Sequence, residues 1–126
     1  MKSFYLLIAH GSRQNQANRE LFKLVEKFRK AYPKRRIEGC FLEIASPSIP
    51  VGIQICIDKG AEEIFVIPLM VFTGRHVQEH IPSYIREARI QHPELDFHFG
   101  TPLADHPLLL KILEDKTKAK ALKRKK

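Results

Sequence analysis

Two stretches of this 126-residue chain place histidines where metal or proton chemistry is feasible. The first is His10-Gly11-Ser12-Arg13, directly after the apolar run at residues 4–9 (FYLLIA). The second, residues 64–82 (IFVIPLMVFTGRHVQEHIP), runs from an apolar segment into a glycine-containing loop with His76, Glu79 and His80. Neutral imidazoles suit cobalt, nickel, ferrous iron and zinc. A nearby carboxylate takes up protons, and Glu43, at the end of another apolar segment, is the candidate. Residues 76–80 also match H-x-x-E-H, an inverted zinc-protease signature that needs both histidines on one helical turn. Pro82 argues against that reading: in a continuing helix its ring meets the carbonyl of Gln78, and Ile81 before it is biased away from α geometry. Nothing recruits His92 or His98, for which capping or surface roles are expected, and His106 reads as a helix-start residue.

These side chains depend on the elements around them. Residues 64–67 contain no polar side chain, as expected of a strand covered on both faces in a parallel sheet. Pro68 lacks an N–H, so regular pairing should stop near it. Upstream, residues 4–9 read as the first strand. Ala17, Leu21, Leu24, Val25, Phe28 and Tyr32 then recur along one face of a helix that stops before Pro33. Residues 37–44 read as the second strand. Ser46-Pro47 looks like the N-cap and first position of a second helix carrying Val51, Ile53, Ile55 and Ile57 and closed by Gly60. A third helix should begin around Pro82 and run through Tyr84, Ile85 and Ala88. Residues 95–99 form a fourth strand, and residues 105–107 resemble a cap before Leu109, Ile112 and Leu113. Strands alternating with helices predict an α/β fold: a four-stranded parallel sheet flanked by helices, with right-handed crossovers, for which the strand order 2-1-3-4 is taken. The carboxyl ends of the first and third strands then border one crevice, the switch point where such sheets bind ligands. That topology is what brings His10 and His76 together.

Hydrophobic residues make up 44% of the chain, enough for one domain with a real core. The net charge of +8 is concentrated: seven of the 22 basic residues lie in residues 116–126, leaving a body with 15 basic and 14 acidic residues. Residues 1–115 are therefore expected to form a single domain and 116–126 a basic, disordered tail. No aromatic interleaving or recognised motif accompanies the tail, so no specific nucleic-acid partner is expected. No run is long enough to span a bilayer and no signal peptide is apparent, so a cytoplasmic location without a membrane partner is expected. Cys40 and Cys56 lie in apolar segments without ligand spacing and are expected to be buried, reduced thiols.

Residues 6–13 (LLIAHGSR), 41–50 (FLEIASPSIP), 67–82 (IPLMVFTGRHVQEHIP) and 103–108 (LADHPL) together resemble the small-form sirohydrochlorin chelatases, which are similar to the ATP-independent class II chelatases of tetrapyrrole biosynthesis. The resemblance covers about residues 4–115 and implies a chelatase-like fold. The implied reaction is insertion of a divalent metal into sirohydrochlorin on the way to cobalamin-type products, with no ATP and no cofactor beyond the substrate metal. By position, it implies His10 as metal ligand and proton acceptor and His76 as second ligand. Arg13, Ser46, Val71, Phe72, Thr73, Gly74 and Arg75 would line the tetrapyrrole site, with Glu79 and His80 as additional candidates. Small-form members work as homodimers whose cleft both subunits shape. One departure is visible, since the family usually has aspartate where this chain has His80.

The residue types suit that chemistry. Insertion needs a desolvated metal, removal of two pyrrole protons, and a macrocycle held while its nitrogens replace protein ligands. Arg13 and Arg75 flank the proposed ligands, where guanidinium groups pair with substrate carboxylates. Sirohydrochlorin cobaltochelatase is the leading expectation. Nickel and ferrous iron favour the same ligands, and a metal-binding chaperone that never touches a tetrapyrrole is the rival from another class.

Overall fold

The structure is a computed structural model, and it describes residues 1–72, 74–75, 79–118 and 122. The elements run β1 (Ser3–Ala9), α1 (Asn15–Ala31), β2 (Arg36–Phe41), α2 (Ile49–Asp58), β3 (Glu63–Pro68), α3 (Ile81–Gln91), β4 (Asp96–Phe99), a 3₁₀ turn (Leu103–Asp105) and α4 (Leu108–Lys116). All strand pairs are parallel, in the order β2-β1-β3-β4.

β1 is the axis of the sheet, and its sequence explains why. Leu6, Leu7 and Ile8 are all buried, so both faces of the strand are covered, as its uninterrupted apolar run requires. On one face Leu7 meets Ile37 and Phe41 of β2 with Leu21 and Val25 of α1. On the other, Phe4, Leu6 and Ile8 pack with Ile49, Ile53 and Cys56 of α2 and Ile81, Ile85 and Ala88 of α3. Each leucine, isoleucine, valine or phenylalanine among them contributes about 1.5–3 kcal/mol when fully buried. The helices after β1 and β3 thus lie on opposite faces, and the carboxyl ends of these two strands lie side by side, with Ile8 opposite Pro68.

Several boundaries differ from expectation. β2 ends at Phe41 rather than continuing to residue 44, because the chain turns sharply at Ile44. The N-cap of α2 is Ser48, whose Oγ accepts from the Val51 N–H, and not Ser46; the Ser46-Pro47 peptide is cis and lies in the loop before the helix. As expected, β3 ends at Pro68, with one further backbone bond from Leu69 N–H to the Ile8 carbonyl, 2.7 Å. Ile81 is fully buried and helical, contrary to the bias expected of a residue before proline. Pro82 sits in the first turn of α3, where its missing N–H costs nothing.

Cys40 and Cys56 are free and buried in the same cluster. Burial pushes both thiols up to about 12; the Glu38 carboxylate adds to the rise at Cys56, and the proximity of the two thiols disfavours ionising Cys40 as well. Both therefore stay protonated and unreactive at neutral pH. Among the described residues no helix is long and apolar enough to cross a membrane.

Candidate functional site

The loops after β1 and β2 are tied together by backbone. Leu42 N–H donates to the Ala9 carbonyl at 2.9 Å and Glu43 N–H to the His10 carbonyl at 3.1 Å, extending the β1–β2 ladder past the strand ends. Ala45 N–H then donates to the Glu43 carbonyl at 2.8 Å, which closes a γ-turn around Ile44. Ile44 has φ +71°, a value that β-branched residues rarely adopt and that costs of order 1–3 kcal/mol. Against this turn lies Gly11, at φ +101°. A Cβ on Gly11 would stand 1.8 Å from the Glu43 carbonyl oxygen, so only glycine fits here.

The result is a fixed pair. His10 Nε2 lies 2.9 Å from Glu43 Oε1, with both side chains about half exposed (54% and 46%) at the carboxyl edge of the sheet. Strain at Ile44 turns the chain away immediately after Glu43, so the carboxylate stays beside His10 instead of following a longer strand. An imidazole held by a carboxylate can bind a metal or pass on a proton. Asn18 of α1 steadies the same loop from below: its Oδ1 accepts from Ser12 N–H (2.9 Å) and its Nδ2 donates to the Ser12 carbonyl (2.7 Å).

The loop after β3 leaves the sheet at the same edge. Within it Val71 and Phe72 are exposed, Phe72 by 75%. The loop is braced by the 3₁₀ turn, where Leu103 N–H donates to the Met70 carbonyl (3.1 Å) and Ala104 N–H to the Val71 carbonyl (2.8 Å). Arg75 and Glu79 approach within 3.7 Å, both largely exposed. His76 and Thr73 lie outside the described residues, as does most of the H-x-x-E-H motif. Gly74, Glu79 and His80 are exposed; Glu79 and His80 form a π-helical turn that runs into α3. His80 is the N-cap of α3 but its side chain makes no cap hydrogen bond. Ser46 is exposed near Ile44, in the loop after β2. Among the described residues no three His, Cys, Asp or Glu side chains cluster as a metal site.

The other histidines have local partners. His98 is stacked on Phe65 (ring centroids 4.4 Å) and sits 2.8 Å from Glu63. Ser3 Oγ donates to the same carboxylate, and together the Ser3 hydroxyl and His98 hold Glu63 below the usual carboxylate range. His106 Nδ1 accepts from Leu108 N–H at the start of α4, the helix-start role expected of it.

Residues 4–120 match the sequence pattern of the CbiX family. The chain belongs to the CbiX family. It is 37% identical over 115 residues to the sirohydrochlorin cobaltochelatase of Priestia megaterium, a match covering 90% of this chain and 37% of that protein. It is 31% identical over 111 residues to the sirohydrochlorin ferrochelatase of the same organism, covering 88% of this chain and 42% of that protein. The crystal structure of the sirohydrochlorin chelatase SirB from Bacillus subtilis subspecies spizizenii, in complex with cobalt, superposes with a TM-score of 0.85 at 30% identity and covers 94% of this chain. This CbiX chain spans about half of that structure and about two fifths of the two Priestia proteins. The four-stranded sheet of order 2-1-3-4 is thus the chelatase-like fold of the family.

Several contributors to the site had a faint sequence signal or none. The His-Gly dipeptide after an apolar run marks a turn, but not that Gly11 receives a carbonyl from another loop. The left-handed Ile44 contradicts its own residue preference. The bracing by Leu103 and Ala104 and the clamp by Asn18 join positions whose spacing suggests no contact.

Proposed function

We propose that this CbiX-family chain is a sirohydrochlorin metal chelatase. The observation that carries the reading is the His10–Glu43 pair, 2.9 Å apart at the switch-point edge of the sheet, in a chain whose relatives include cobalto- and ferrochelatases acting on sirohydrochlorin. His10 serves as metal ligand and as carrier of pyrrole protons, with Glu43 accepting them from it; His76, from the loop after β3, is the second ligand. Two imidazoles hold a divalent metal while leaving positions open for the macrocycle nitrogens. Val71, Phe72, Thr73 and Gly74 contact the flat macrocycle in this reading, and Arg13, Ser46 and Arg75 meet its polar edge. Glu79 and His80 are further candidates.

Cobalt is the proposed metal, supported by the cobaltochelatase relative at 37% identity, the more similar of the two compared above. The test is to mix the full-length protein with sirohydrochlorin and cobalt, nickel or ferrous ions and follow the absorption spectrum. Insertion fastest with cobalt is the expected result. Fastest insertion with iron would reassign the metal, and no acceleration with any of the three would leave a metal-binding chaperone in its place.

The working unit is proposed to be a homodimer. One four-stranded unit supplies one wall of a cleft, and α4 leaves Leu108, Leu110, Ile112 and Leu113 more than half exposed, an apolar face that a second copy would cover. Sedimentation of the full-length chain should give a dimer at assay concentration; an active monomer would overturn this.

A further inference from the structure

Next to the His10 loop, on the α1 side, lies an open pocket of about 570 Å³ between the loops after β1 and β2. Arg13 and Arg19 line it together with Asn15, Phe22, Ile44 and Ser46, and no lining side chain is acidic. Among the described residues neither arginine forms an ion pair, whereas Arg29, Arg75, Lys59 and Lys118 each have a carboxylate within 4 Å. Two unneutralised guanidiniums beside one depression call for an anionic occupant with more than one acidic group.

The rest of the pocket narrows the class of ligand. Phe22 is 41% exposed, its ring seated edge-on against Phe41 at 5.7 Å, and Ile44 is 62% exposed because its left-handed backbone turns it outward. The strain at Ile44 therefore presents a bulky apolar side chain to solvent at the mouth of the site. Polar surroundings alone would suit a small inorganic anion. An apolar floor flanked by cations suits a ligand with a hydrocarbon body and carboxylates at its edge.

The geometry points to a subsite for the peripheral carboxylate arms of the tetrapyrrole, in which Arg19 acts with Arg13 as a substrate-binding residue and Phe22 and Ile44 support the rim of the macrocycle. This rests on the chelatase reading and extends it to one side of the site. The His10 loop is shared by both parts: Ser12, two residues from His10, lines the pocket and is clamped by Asn18, so metal and carboxylate positions are set by the same backbone.

The test uses the full-length protein and sirohydrochlorin, with metal-free binding followed by fluorescence and cobalt insertion by absorption. Arg19→Glu should raise both the metal-free Kd and the KM by about 10-fold or more, the scale of one charge-assisted hydrogen bond lost and a repulsion gained. Arg19→Lys should recover part of the loss. Cobalt binding to the protein alone should not change, and the loss should be concentrated in KM rather than kcat. The wild-type affinity should also weaken as salt rises, more steeply than that of Arg19→Glu. An active wild type beside an Arg19→Glu variant with unchanged Kd and KM overturns the subsite alone. A wild type that neither binds sirohydrochlorin nor metallates it overturns the chelatase reading and the subsite with it.

Discussion

Replacing His10 by alanine is expected to lower metal insertion by about 1,000-fold or more while the protein stays folded. The imidazole is proposed to act twice, as ligand and as proton carrier, and general acid–base catalysis alone accounts for about 10²–10⁴. Little stability depends on it: the side chain is 54% exposed and its ion pair with Glu43 is a surface contact, worth about 0–1 kcal/mol. The melting temperature should therefore shift by only a few degrees. Glu43→Gln separates the two roles, because it retains a hydrogen-bonding oxygen but cannot accept a proton as a carboxylate does. Turnover should fall more than cobalt affinity in that variant, whereas His10→Ala should lose both. Insertion rates within 10-fold of wild type in His10→Ala, measured with cobalt and sirohydrochlorin, would remove His10 from the chemistry.

Gly11→Ala should be the most damaging of the small substitutions. A single added methyl would lie 1.8 Å from the Glu43 carbonyl oxygen, and at φ +101° the backbone itself disfavours any L side chain. Neither side can yield cheaply, since the opposing atom is backbone held by Ala45 N–H at 2.8 Å and its residue's own N–H is bonded to His10. Loss of about 3 kcal/mol or more is expected, roughly a 10 °C fall in melting temperature for a domain of this size. Activity should fall further than stability explains, because relieving the clash separates the loop of His10 from the loop of Glu43. Calorimetry and the insertion assay on the same preparation check this. A variant that melts within 2 °C of wild type and inserts metal normally would show that this contact does not hold the site together.

Cobalto- and ferrochelatases both appear among proteins 31–37% identical to the chain, so similarity at this level does not fix the metal. His80 occupies the N-cap of α3 with helical backbone (φ −78°, ψ −47°) and makes no cap hydrogen bond. The first turn of α3 carries no acidic side chain to favour the positive end of the helix.

The alternation of apolar runs and helical stripes was enough to place the strands and helices, because each strand buried on both faces must be apolar throughout and each covering helix must show a single stripe. A parallel sheet followed from that alternation and the handedness of crossovers, whereas the order 2-1-3-4, which sets the first and third strand ends side by side, is decided by tertiary packing. No element directs His98 or His106 toward the crevice, and they contact Glu63 and the Leu108 N–H. What the sequence could not show was how the chain turns once a strand ends. The second strand was read three residues too long because Leu42, Glu43 and Ile44 suit a strand, and only tertiary contact with Gly11 and His10 holds Ile44 at φ +71° against its own preference. The Ser48 cap, the Asn18 clamp, the bracing of the β3 loop by Leu103 and Ala104, and the meeting of Arg13 with Arg19 over Phe22 and Ile44 have the same origin. Local propensity is written in neighbouring residues and can be read from them; contacts between loops far apart in sequence exist only after the sheet has brought strand ends together, and that packing selects backbone states which local preference would reject.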